Sequence, residues 1–170
     1  MSVTTAVLLV VALLLAGVYL SWTAGRLDRL HARVDAAWAA LDAQLARRAA
    51  AARALVPLLP PEQGEELARA AQASLDAGDT GREAVENDLT RSLRSVLSAL
   101  PPDAELHELE SAVTKVGLAR SFHNAAVEDT RALRRRRVPR LFRLAGRREL
   151  PQFFEIDDTS LLPRQGGRRT

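Results

Sequence analysis

Cysteine is absent from this 170-residue chain. Its absence excludes disulfides, thiolate zinc sites, a cysteine nucleophile and a lipidated-cysteine anchor together. Aromatic residues are nearly as scarce, at 4%, while alanine and leucine are plentiful, a balance that favours helices over sheets. Lysine occurs once, as Lys115, so the basic charge is almost entirely arginine. The three histidines, His31, His107 and His123, are spaced too widely for a helical i, i+4 metal pair. There is no Gly-rich phosphate loop, nucleophile elbow or dinucleotide fingerprint. The expectation is therefore a protein that is not an enzyme and carries no catalytic, metal or cofactor-binding residues.

Charge is missing altogether from Ser2 to Gly25, and Ala6 to Leu20 is apolar throughout. A hydrocarbon core of about 30 Å needs roughly 20 helical residues, which residues 3–23 supply as a transmembrane helix. Tyr19 and Trp22 stand at its downstream end, where amphipathic rings favour the headgroup layer. A cleaved signal peptide is the competing reading, but the start MSVTT has no basic n-region and the apolar run is longer than such peptides use. Arg26, Arg29 and Arg33 follow the span and no basic residue precedes it. The positive-inside bias then puts the N-terminus outside and the C-terminal domain in the cytoplasm.

Beyond the span, apolar residues recur at Leu27, Leu30, Val34, Trp38, Leu41, Leu45, Ala52 and Leu55, one face of a helix over about 26–57 that continues the membrane helix. Pro57, Pro60 and Pro61 end it. A second helix is expected over 61–77, with a weak, alanine-rich face and Gly78 to stop it. A third spans 80–100, with Val85, Leu89, Leu93, Val96, Leu97 and Leu100 as its stripe. A fourth runs over 103–136, with Leu106, Leu109, Val113, Val116, Ala119, His123, Val127 and Thr130 on one side. No one of these stripes can be buried alone. The expected fold is all-α: an N-terminal transmembrane helix, an antiparallel up-and-down bundle of about four helices over 26–137, and a basic, partly disordered tail over 138–170.

With the helices placed, a resemblance emerges. LDRLHARVDAAWAALDAQLARR, from Leu27 to Arg48, is similar to the first soluble helix of LemA family proteins through Val34, Trp38, Asp42, Gln44, Leu45, Arg47 and Arg48. ENDLTRSL, beginning at Glu86 and Asn87, resembles the family's next block. Ala119, Arg120, Asn124 and Val127 fit a third, and Phe153, Phe154 and Glu155 resemble its aromatic-aromatic-Glu tail motif. His123 stands where the family usually has tyrosine, Arg131 where a second asparagine is common, and the prolines after Leu55 interrupt a segment that members continue. The resemblance implies a helical bundle tethered to the inner membrane and no known reaction. The role it suggests is a membrane-tethered scaffold or interaction module in envelope maintenance, with an unidentified protein partner or self-association.

Within that pattern, Asp42 or Gln44 is expected near Asn124, either fixing bundle register or forming a patch for a partner. His123, on the apolar face, reads as a core or interhelix hydrogen-bonding residue. His107, between Glu105 and Glu108, reads as solvated charge.

One stretch departs from the rest. DTRALRRRRVPRLFRLAGRR, from Asp129 to Arg148, holds nine arginines and no acid after its first residue. Three readings compete: anionic-lipid contact through Arg134, Arg135, Arg136, Arg137, Arg140 and Arg143; a solvated helix end whose cations oppose the macrodipole; and nucleic-acid binding by the Arg131–Arg148 cluster of a membrane-held regulatory protein. An up-and-down path returns the fourth helix towards the membrane, which favours lipid and makes nucleic acid the weakest partner.

Overall fold

The structure, a computed structural model, describes residues 2–101, 104–136 and 148–157. Those residues are all-helical and contain no strand. There are four α-helices: α1 (Val3–Ala54), α2 (Pro61–Asp76), α3 (Arg82–Leu97) and α4 (His107–Arg134). A short 3-10 turn, Val56–Leu58, links α1 to α2.

α1 is one helix of 52 residues. Gly17 and Gly25 do not interrupt it, because a lone glycine costs only about 1 kcal/mol in a helix interior. Its first half is long and apolar enough to cross a membrane, and the most hydrophobic stretch has none of its residues buried within the protein. Leu8 and Leu13, for example, are 69% and 70% exposed. Downstream the same helix is buried along the expected stripe, with Leu27, Leu41, Leu45 and Ala52 at 1% exposure or less.

The prolines punctuate as anticipated. Pro57 falls in the 3-10 turn and Pro61 opens α2 at its first position, where its missing N–H costs nothing. Gly64 lets α2 approach the turn: a Cβ there would sit 3.2 Å from the Val56 carbonyl oxygen. α2 ends in extended backbone at Ala77 and not through a left-handed glycine at Gly78. The left-handed position is Gly81, φ 76°, immediately before α3. α4 begins at His107, later than the expected start at 103, with Glu108 and Glu110 in its first turn against the positive end of the macrodipole.

The chain divides into two compact units. In the first, Met1–Ala37 with Asn124–Phe153, Val34 packs with Ala126 and Val127. Arg33 reaches Asp129 at 3.4 Å, and the Thr130 hydroxyl lies 3.5 Å from the Leu30 carbonyl. Rising numbers on α1 meet falling numbers on α4, so the two helices run antiparallel there.

In the second unit, Trp38–His123 with Phe154–Thr170, all four helices contribute to one core. Ala49, Ala52 and Leu55 of α1 meet Leu67 and Ala71 of α2, Leu89, Leu93 and Val96 of α3, and Leu109 of α4. A neighbouring cluster joins Leu41, Leu45 and Val116 to Phe154 and Ile156. That last pair belongs to the stretch expected as a basic, partly disordered tail. Residues 148–157 form neither helix nor strand, and Phe154 and Ile156, two apart, are buried.

Candidate functional site

Two constellations of charged residues stand out, one in each unit. The first is a buried ionic network in the second unit. Arg48 of α1 and Glu86 of α3 pair at 2.6 Å with their side chains 1% and 0% exposed. The other Glu86 oxygen accepts from Arg82 Nε at 2.9 Å and from the Ser74 hydroxyl of α2 at 2.8 Å. Arg48 also donates to the Glu86 carbonyl and to Thr90 Oγ1, and the Thr90 hydroxyl donates back to the Glu86 carbonyl. Arg82 in turn donates to the Ala77 carbonyl at 2.6 Å, opposing the negative end of α2, whose last turn carries no basic residue. Asp42, half-exposed, pairs with Arg82 at 3.0 Å.

Burying a guanidinium and a carboxylate costs several kcal/mol each in lost hydration, and their attraction repays it only when the remaining donors and acceptors are matched. Both Glu86 oxygens are matched here, whereas Arg48 Nε is buried without a hydrogen-bond partner among the described residues. Two arginines and two acids balance in charge, and three helices are tied to one carboxylate. What the arrangement supplies is a tie between α1, α2 and α3 through a carboxylate closed to solvent.

Asp42, read as a candidate partner for Asn124, takes Arg82 as its partner within this unit. Gln44 is half-buried, with an Oε1 that has no hydrogen-bond partner, and Arg47 is exposed. Asn124 is half-buried on α4, and Val127 is fully buried against Val34. The Trp38 ring lies 5.4 Å from His123 and 5.4 Å from Phe154, and its Nε1 donates to Asp79 at 3.1 Å. His123 is 4% exposed, in keeping with a core residue.

Asn87 and Glu155 find their role on the segment 148–157. The Glu155 backbone N–H donates to the Glu83 carboxylate at 2.6 Å, and the Asp157 N–H donates to the Asn87 side-chain oxygen at 2.7 Å. Arg94 holds the Asp157 carboxylate with both guanidinium arms, at 2.8 and 3.1 Å. That hydrogen bond, with the charge of Asp157, raises the Arg94 guanidinium above its already high ordinary range, against a smaller opposing effect of burial. The segment Phe154–Asp157 is thus held as a peptide ligand is: two apolar side chains in the core, two N–H groups and one carboxylate read by α3.

The second constellation is the foot of α4, in the first unit. Arg131 Nε donates to the Pro151 carbonyl at 2.7 Å and its guanidinium stacks 4.6 Å from the Phe153 ring centre. Arg134 donates to the carbonyls of Glu149 and Arg148, at 2.7 and 2.9 Å. Both were anticipated only as parts of a basic run; both clamp the returning chain. Arg135 and Arg136 are exposed. Arg137, Arg140 and Arg143, expected to share in lipid contact, lie outside the described residues. Counting one turn from the Thr130–Leu30 contact, at about 1.5 Å per residue, sets Arg134 level with Arg26. Arg26 itself lies 5.8 Å over the Trp22 ring at the end of the apolar stretch.

Among the described residues no group of three or more His, Asp or Glu side chains is placed to hold a metal ion. No family model, curated protein or solved structure matches the chain.

Proposed function

We propose that this chain is a single-pass membrane protein of LemA type, a non-enzymatic interaction module held at the bacterial inner membrane with its folded domain in the cytoplasm. The observation that carries the reading is the contrast along α1: the apolar stretch near its start is wholly exposed, while the same continuous helix downstream supplies the core of the folded part. An exposed run of leucine and valine this long is unfavourable in water and suited to lipid. The arginines at the foot of α4 stand level with Arg26, where contact with anionic lipid would reinforce the anchor. An up-and-down path for the four helices follows from the same reading.

For the interaction role, support comes from α4. Leu118 and Phe122, four residues apart and 56% and 60% exposed, form an apolar ridge suited to a protein partner. The network around Glu86 supplies a rigid scaffold for that ridge without chemistry of its own. Alkaline carbonate extraction of membranes tests the anchor: the full chain stays in the pellet, and recovery in the soluble fraction overturns the reading.

A further inference from the structure

We propose that the cavity at the foot of α4, lined by Arg131, Arg134, Arg135 and Leu150, is a binding site for the phosphate of an anionic phospholipid headgroup. The proposal rests on the reading of α1 as a membrane span.

The charge in this cavity is unbalanced. Arg131 and Arg134 spend donors on the neutral carbonyls of Pro151, Glu149 and Arg148, which orient the guanidinium planes without neutralising them. Arg135 is exposed and, among the described residues, has neither an ion pair nor a side-chain hydrogen bond. Among the described residues no carboxylate pairs with any of the three, although Glu128, Asp129 and Glu149 lie close in the chain. The partial negative charge at the end of α4, about half a unit, cannot offset three full positive charges.

The cavity is open and measures about 520 Å³, within the usual range for a small-molecule site. Three guanidinium groups match the geometry of phosphate oxygens, which accept paired N–H bonds. Leu150, the fourth of the described lining residues, is apolar and 54% exposed, a surface fit for the glycerol and first methylenes of a lipid. Location completes the match. The site stands level with Arg26, just past Trp22, where a headgroup lies if the apolar half of α1 spans the bilayer.

Native mass spectrometry of the full chain released from detergent micelles, titrated with phosphatidylglycerol or phosphatidylcholine, tests the site. One phosphatidylglycerol per chain is retained preferentially. Arg135→Glu lowers that retention about tenfold or more, since it replaces one attraction by a repulsion, while Arg135→Lys stays within about threefold. Arg69→Glu, exposed on α2 and outside the cavity, also stays within about threefold. Equal retention of the two lipids, or equal losses for Arg135→Glu and Arg69→Glu, overturns the site. Inorganic phosphate that displaces the lipid at millimolar concentration marks a soluble-anion site, and an oligonucleotide that displaces it marks a nucleic-acid surface; either overturns the headgroup assignment. Flotation of the same protein with neutral vesicles is scored separately. Failure to float refutes the span, whereas flotation without lipid selectivity refutes only the headgroup site.

Discussion

Arg48 on α1 and Glu86 on α3 form an ion pair of 2.6 Å that is closed to solvent on every side. Removing one partner strands the other in the core, where an unpaired charge costs about 3–5 kcal/mol. Glu86→Gln leaves Arg48 uncompensated and Arg82 with only the half-exposed Asp42. Thermal unfolding of the full chain in detergent should fall by about 10 °C or more, since each kcal/mol shifts the midpoint of a domain this size by about 4–8 °C. The pair Arg48→Met with Glu86→Leu should lose less than the sum of the single changes, as coupled residues do.

Asp42 provides the contrast. It pairs with the same Arg82 but is half-exposed, and Arg82 keeps Glu86 if Asp42 is lost. Asp42→Asn should therefore cost about 0–1 kcal/mol in the same melt, within a few degrees of the parent protein. A loss as large as that of Glu86→Gln would place the structural weight at the wrong acid.

Phe154 holds the segment 148–157 from the core side. Phe154→Ala removes a fully buried ring and should cost about 3–5 kcal/mol. A local readout separates that packing from the polar clamp. Asn87→Ala deletes the acceptor of the Asp157 N–H, so hydrogen exchange at Asp157 should accelerate while exchange in α2 stays unchanged.

Much of this was legible beforehand. Prolines placed the breaks between helices within a few residues, and the stripes on α1, α3 and α4 name residues that are buried, His123 and Thr130 among them, or half-buried, as Val85, Leu106 and Val113 are. The partners of the charged residues were harder to read. Arg48 follows Leu45 by three and precedes Ala52 by four, on the apolar face, and Arg82 and Glu86 extend the Leu89–Leu93 stripe towards the start of α3. Those spacings were the signal for burial, but a charged residue on an apolar face does not say which opposite charge meets it. The FFEID segment hid for a different reason. Its alternation is only two apolar positions long, and its hydrogen bonds go to side chains of α3, which no local pattern reveals.

The arginine run divides in the same way. Arg131 and Arg134 serve the fold by holding carbonyls of the returning chain, whereas Arg135 and Arg136 face outward. Arg134→Ala should therefore raise proteolytic cleavage around Glu149 several-fold, an effect that Arg136→Ala does not share.

The central claim is a single span with the folded domain on the cytoplasmic side. Because the chain contains no cysteine, single substitutions report topology without background. Ser2, before the apolar stretch, and Ser121, on α4, are both exposed. In intact cells, a membrane-impermeant maleimide should label Ser2→Cys and reach Ser121→Cys only after permeabilisation. Labelling of Ser121→Cys in intact cells would contradict the account.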